Sequence, residues 1–324
     1  MEQRKIDLVY LWVDGNDQKW QLEKTKWQNI INKKQHIISD AIMPARWRDN
    51  DELRYSLRSI EKFAPWINHI YIVTGFGQIP NWLYTNHPKI SIIDHAMIMP
   101  CEALPTFNSN AIEKCIANIP GLSEYFLLAN DDMFFGRPLT PDFFFNDKGH
   151  PIVWFTKAHF SNNTTPYEKT LLHSAKTIQN VYKSDYSGIQ PAHNIDPYRK
   201  SFILECNNHH VWNEQIKKDI LNKFRTDNEL QRWIYTLYNH ANNKCVLKRT
   251  RNKKDKKHFI YNFIHKRKFI NSPIYCIDAK NCKLNKINPP LFCINDTEKN
   301  TDKIRQNNLD FLESKFSKKS QFEL

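Results

Sequence analysis

Glycine is scarce in this chain, seven residues in 324. Neither of the common glycine-rich phosphate cradles, G-x-x-x-x-G-K-[ST] or G-x-G-x-x-G, is present. The seven cysteines (Cys101, Cys115, Cys206, Cys245, Cys276, Cys282, Cys293) contain no C-x-x-C pair. An odd count without such pairs fits free thiols in a reducing compartment and argues against a disulfide framework or a structural zinc site. No apolar run approaches the roughly 18 residues of a membrane-spanning helix. Near the start, the apolar run from Leu8 to Val13 is six residues long and no small-residue cleavage site accompanies it. No secretory signal is therefore expected, and the expected location is the cytoplasm. Internal repeats are also absent.

What remains is a chain rich enough in apolar (40%) and aromatic (13%) residues to fold around a sizeable core. Its formal charge of +13 is unevenly placed. From Lys244 to Lys268 there are eleven Lys/Arg and one Asp, a net +10, which leaves +3 for all other residues. That segment, KRTRNKKDKKHFIYNFIHKRK at its centre, interleaves aromatics with cations. Charge alone is compatible with a solvated loop, with nucleic acid, or with an anionic membrane surface. No base-reading motif supports nucleic acid.

Short apolar runs alternate with helical spacing through the first half. Leu8–Val13, His69–Thr74, Ile90–Asp94 and Tyr125–Ala129 read as strands, the first ending at Asp14-Gly15 and the last at Asn130-Asp131-Asp132. Between them Leu53, Leu57, Ile60 and Ala64 follow a helical period, with Asp49, Asn50 and Asp51 as caps, and Asn110 with Glu113 opens a helix running to Ile119. This pattern predicts an α/β fold with a mainly parallel sheet and flanking helices, in which ligands bind beyond the carboxyl ends of the strands. Beyond Pro151 the pattern weakens: a loop at 161–166, a helix over 171–182, a Pro-punctuated stretch at 190–198, a helix over 230–241, and a last strand, LFCIN, ending at Asp296.

Asn130-Asp131-Asp132 carries the most chemistry. Paired carboxylates after a buried strand hold Mg²⁺ or Mn²⁺, hard cations that also bind a diphosphate. The bland alternative is a turn with a helix cap. Arg54 and Arg58 lie four apart, on one face of a helix, and guanidinium groups suit phosphate contacts, unless Glu52 and Glu61 simply pair with them. His193 in PAHNIDPY is a candidate base or phosphate contact, against the commoner structural histidine. Asp296 is a candidate third carboxylate for a metal, or a turn residue.

In order, these segments resemble the Stealth family, hexose-phosphoryl transferases of bacterial capsule synthesis whose animal relative puts N-acetylglucosamine-1-phosphate on lysosomal glycoproteins. YLWVDG (Tyr10 to Gly15) is similar to the family's first block. RWRDNDELRYSLRSIEKFAPWINHIYIVT, GQIPNWL, LPTFNSNAIE and LANDDMFFG, over roughly Arg46 to Gly136, match its long second block. PAHNIDPY resembles the third, with a longer gap from His193 to Pro197 than the family's block has, and KFRTDNELQ places Arg225 where that block has an arginine. LFCINDT is similar to the fourth.

The resemblance implies a Rossmann-like, GT-A-like nucleotide-sugar fold with smaller helical insertions. It implies one catalytic domain over 1–324. Within it, 1–150 would be the nucleotide-sugar and metal core, 151–243 the acceptor-side and helical part, 244–290 the basic segment, and 291–324 a returning core strand and tail. It also implies transfer of a sugar-1-phosphate, a HexNAc-1-phosphate, from a UDP-sugar to a sugar hydroxyl with release of UMP. Positioning and charge neutralisation dominate such chemistry. Asp131 and Asp132, with Asp14 or Asp296, would hold the metal, and Arg54, Arg58 and Arg225 would face phosphates. His193 would take the acceptor proton, with Asp132 the alternative base. Arg48, Asn50, Asn130 and Asn295 complete the expected substrate contacts. The expected partners are the UDP-sugar and the growing phosphoglycan. For the basic segment they are that polyanion, the anionic inner face of the membrane or a capsule-export apparatus, and no nucleic acid. A glycosyltransferase releasing UDP is the enzymatic alternative, a glycan-binding protein the non-enzymatic one.

Overall fold

The computed structural model describes residues 4–33, 37–158, 160, 164–250, 289–324 and the backbone of 274–277. Of the cationic run 244–268, only 244–250 is among the described residues, and 161–163 of the expected loop lie outside them. In chain order the first part runs β1 (Ile6–Leu11), α1 (Gln18–Asn32), α2 (Glu52–Phe63), β2 (Ile70–Thr74), β3 (Ile90–Asp94), α3 (Ser109–Cys115), β4 (Tyr125–Asn130) and β5 (Met133–Phe135). It continues with β6 (Ile152–Lys157), α4 (Pro166–Tyr182), β7 (Ile189–Pro191), β8 (Asp196–Arg199), α5 (Lys200–Asn207), α6 (Asn213–Leu221) and α7 (Trp233–Ala241). β9 (Val246–Arg249), β10 (Ile274–Ile277), β11 (Leu291–Ile294) and α8 (Asp302–Lys315) complete it.

The central sheet has the order β3-β2-β1-β4-β8. Four strands are parallel, and β8 pairs antiparallel with β4 at the edge. Both faces are covered, which is why its strands read as unbroken apolar runs rather than as an alternation with polar residues. Successive side chains nonetheless serve opposite cores. Val9, Tyr71, Val73, Phe126 and Leu128 pack toward α3, α4 and α7. Leu8, Tyr10, Ile70, Ile72, Leu127 and Ala129 pack toward α2 and β5. Leu8, Val9 and Leu127 are completely buried, each contributing about 1.5–3 kcal/mol relative to exposure.

Helix α2 is bonded into this frame by two serines. The Ser56 hydroxyl meets Tyr10 Oη at 2.5 Å and the β5 carbonyl of Met133, and Phe135 N donates to Ser59 Oγ at 3.1 Å. Two small sheets flank the central one, β10-β11-β5 and β7-β6-β9. The strand expected at LFCIN is therefore present as β11, but it pairs with β5 and β10 and does not return to the central sheet. The 190–198 stretch holds β7 and β8. Pro197 is tolerated there because β8 is an edge strand and needs one fewer N–H. α3 is capped by Asn108, whose side chain accepts from Asn110 N, and it gives way at Ile116 to a 3₁₀ turn. α4 starts earlier than expected, at a capping box of Thr165 and Glu168.

Arg58 was expected at a phosphate, and the fold uses it otherwise. It is buried on α2, where its Nε and Nη2 both reach Glu323 at 2.8 Å and its Nη1 reaches Glu313 and the Phe316 carbonyl. Glu323 is itself 2% exposed as a side chain. Burial alone would raise its pKa, but the two guanidinium bonds and Ser320 hold it below the ordinary range. Glu323→Ala would leave a guanidinium buried without its two-point partner, so a loss of about 3 kcal/mol is expected. A lower urea midpoint at unchanged slope is the measurement.

Candidate active site

The sheet order reverses at β1: β2 and β3 lie on one side, β4 and β8 on the other. Such a point opens a crevice beyond the carboxyl ends of the strands. β1 and β4 end level, with Leu11 opposite Asn130, so Asp14 and the Asp131–Asp132 pair leave the sheet at the same end. Gly15 follows Asp14 because its N–H donates to Trp47 O at 2.9 Å, and a Cβ there would sit 2.1 Å from that oxygen. Asp14 is clamped by two backbone bonds with the Gln78 amide, at 3.0 and 2.9 Å. A cleft of about 410 Å³ opens here, lined by Asn16, Trp20, Lys24, Trp47 and Arg48 among others, with the Lys24 ammonium 3.8 Å above the Trp47 ring.

Asp132 is the hub. β11 runs past it, with Ile294 N donating to its carbonyl at 2.9 Å and the Cys293 thiol reaching its Oδ2 at 3.2 Å. Its Oδ1 is buried and has no hydrogen-bond partner. His193 approaches from the loop between β7 and β8. One ligand atom each from Asp132, His193 and Cys293 lie within 4.8 Å of one another.

The electrostatics are those of crowded, desolvated carboxylates. Burial pushes the Asp131 carboxyl well above its ordinary range, and Glu52, Asp132 and Asp49 add to it. Burial likewise raises Asp132, opposed by His193 and the Cys293 thiol. Glu52 is pushed up to about 7 and Asp51 to about 6, both chiefly by burial. Asn50 softens the first by donating its N–H and its amide to the Glu52 carboxylate, each at 2.7 Å. His193 is lowered by burial, with Asp132 pulling the other way.

Arg232, Glu113 and Arg225 act on His193 through their charge. Arg232, buried, donates to Glu113 at 3.1 Å and lies 3.7 Å from Asp196, whose carboxyl burial lifts to about 7. Arg225 donates to Ser109 Oγ, and burial, then Arg46, lowers its guanidinium to about 10.

The other expected residues are dispersed. Asp296, expected as a metal ligand, instead pairs with Arg48 and, at 3.2 Å, with Arg305. Burial would raise it, and these guanidinium groups hold it below the usual range. Arg54 pairs with Asp51 at 3.0 Å and covers the Trp82 ring. Asn130 ends β4, and Asn295 is exposed just past β11. Sequence reasoning missed Cys293, Glu52, Asp196 and Arg232. Glu52 had a signal, being part of the acidic run before a helix. In the sequence Cys293 reads as a free thiol within an apolar strand, and Arg232 as part of an aromatic helix.

A hard divalent cation fits the paired carboxylates: a buried Asp132 oxygen without a partner, beside Asp131, whose ionisation burial and then the neighbouring carboxylates oppose. Against known proteins, residues 46–153 match "Stealth protein CR2, conserved region 2" and residues 4–30 match "Stealth protein CR1, conserved region 1". The capsular polysaccharide phosphotransferase WcwK of Streptococcus pneumoniae is 31% identical over 269 residues, 74% of this chain and 78% of that protein. The chain belongs to the Stealth family. Two other relatives are longer than this chain. An exopolysaccharide phosphotransferase of Lactiplantibacillus plantarum, cps2G, is 49% identical over 45% of this chain and 41% of its own length. The capsular polysaccharide phosphotransferase LcbA of Aeromonas hydrophila is 38% identical over 69% and 62%. The chain thus spans about two fifths to three fifths of these two relatives. Among solved structures, the galactosyltransferase LgtC aligns over 97% of both chains at 10% identity and a TM-score of 0.43, too remote to bear on function.

The raised carboxylates set a pH dependence. Unfolded Asp and Glu release their protons near pH 4, whereas Glu52 holds its own to about pH 7. Over that window the unfolded chain binds fewer protons than the folded one, so stability falls as pH rises. The melting temperature of metal-free protein should drop between pH 5 and pH 8, and millimolar Mg²⁺ should raise it at pH 8 far more than at pH 5. Calorimetry across that grid is the check.

Proposed function

We propose that this Stealth protein moves a sugar-1-phosphate, a HexNAc-1-phosphate, from a UDP-sugar to a hydroxyl of a glycan acceptor, extending a phosphodiester-linked capsule polymer. The observation that carries the reading is Asp132 at the switch point, with one oxygen unsatisfied and His193 within reach. Relatives bearing the name capsular or exopolysaccharide phosphotransferase support it.

Asp131 and Asp132 would hold a divalent cation, Mg²⁺ or Mn²⁺, which supplies charge neutralisation on the donor's diphosphate. The acceptor oxygen attacks the β-phosphorus, the bond to the bridging oxygen breaks, and UMP leaves with the electron pair. His193, kept neutral at pH 7 by its burial, accepts the hydroxyl proton; Asp132 is the alternative base. Arg225 would supply fixed positive charge toward the phosphates, and the charge of Arg232 adds to burial in favouring neutral His193. Asp14, Arg48, Asn50, Asn130 and Asn295 rim the donor side. Arg54 enters only by releasing Asp51, and Arg58 is left out because the carboxyl-terminal acids hold it. The cleft with Trp20 and Trp47 beside Lys24 and Arg48 suits stacked sugars joined by phosphates.

No described helix is long and apolar enough to cross a membrane. The reading places the chain at the cytoplasmic face of the membrane, with the basic segment 244–268 toward the polyanionic product or anionic lipid.

Incubation with UDP-HexNAc, Mg²⁺ and a capsule oligosaccharide should release UMP and create a phosphodiester visible by ³¹P NMR. Release of UDP would favour glycosyl transfer instead. Asp132→Asn should abolish turnover with the fold retained, and His193→Gln should slow it by about 10²–10⁴-fold.

A further inference from the structure

Asp132, His193 and Cys293 converge from three separate elements, the β4–β5 turn, the loop before β8, and β11. A thiol is a poor ligand for Mg²⁺, which takes oxygen in an octahedron. One carboxylate, one imidazole and one thiol with an open fourth position is instead the donor set of a softer, tetrahedral ion. In such a shell, bonds of about 2.0–2.3 Å put ligand atoms about 3.5 Å apart. Here the thiol and carboxylate are already 3.2 Å apart, and the whole set lies within 4.8 Å. The unsatisfied Asp132 Oδ1 is an independent sign that a group belongs at this point.

We propose that Asp132, His193 and Cys293 form a Zn²⁺ site superimposed on the catalytic centre, and that Zn²⁺ bound there blocks the enzyme. Binding forms Zn–O, Zn–N and Zn–S bonds, and the Cys293 thiol proton passes to solvent. The inhibitory half rests on the function proposed above, since Zn²⁺ would occupy both the candidate base and a candidate Mg²⁺ ligand. The binding half rests on the three side chains alone. No C-x-x-C spacing announces it, because the ligands are brought together only by the fold.

Cobalt is the spectroscopic probe. Co²⁺ titrated into the reduced full chain should give a thiolate-to-metal charge-transfer band that saturates at one equivalent and is abolished by Zn²⁺. Cys293→Ser keeps a hydroxyl donor to Asp132 Oδ2 and removes the sulfur. It should melt like the parent, lose the band, and bind Zn²⁺ at least about tenfold more weakly by chelator competition. Cys101→Ser, at an exposed thiol, should keep the band. In UMP-release assays at millimolar Mg²⁺, micromolar Zn²⁺ should inhibit the parent and spare Cys293→Ser. A band that persists in Cys293→Ser, its absence from the parent, or unchanged Zn²⁺ affinity overturns the site. A parent chain that shows the band but releases no UMP keeps the site and overturns the function assigned above.

Discussion

Like charge gathered in a poorly solvated place is the constraint on which this structure turns. Asp49, Asp51, Glu52, Asp131 and Asp132 each carry a carboxyl raised above its ordinary range, and for each of them burial is the largest cause. A fold optimised only for stability would not collect them, because every ionised member raises the cost of ionising the next. The arrangement is stable when protons, guanidinium groups or a divalent cation complete it. The end of β4 therefore suits a ligand of positive charge, and a phosphate would be drawn to these carboxylates only through such a cation.

The rest of the frame holds this group in position. α2 brings Glu52 toward Asp131 and is pinned to β1 and β5 through Ser56 and Ser59. β5 follows Asp132 directly and pairs with β11, which carries Cys293 to the carboxylate. Gly136 closes β5 where the backbone of Pro289 passes so near that a Cβ would lie 2.1 Å from its carbonyl oxygen. On the opposite side β8 pairs with β4, and the loop before it delivers His193. Behind it the ion pairs of Arg232 with Glu113 and Asp196 place charge within the helical layer. Distant parts of the chain thus meet at one strand end, and an error of register in β4 would misplace all of them.

Much of this was legible in the chain. The four parallel strands announced themselves as short apolar runs, three of them closing at Asp or Asn and the second at Thr74-Gly75, and both faces of a covered sheet require such runs. The Asp131–Asp132 pair was visible as two carboxylates directly after a buried strand, a pattern that a metal site and a capped turn share until the neighbouring blocks are read with it. β8 was not visible, because Pro197 masks an edge strand whose missing N–H costs nothing. Arg58 looked like a phosphate ligand because helical spacing tells which face a side chain takes, and not what covers that face. Asp296 looked like a metal ligand for a similar reason, and only the folded chain brings Arg48 and Arg305 to it.

By itself, then, the sequence determined the α/β class, the strands that end at the crevice and the carboxylates set there. Periodicity and local chemistry are properties of neighbouring residues. Which cations neutralise which carboxylates, which arginine is structural, and the meeting of Cys293 and His193 at Asp132 were decided by tertiary structure alone. Asp132 lies 61 positions from His193 and 161 from Cys293, Arg48 lies 248 from Asp296, and Arg58 lies 265 from Glu323; a contact at such separation is set by strand order and register, which no local pattern encodes.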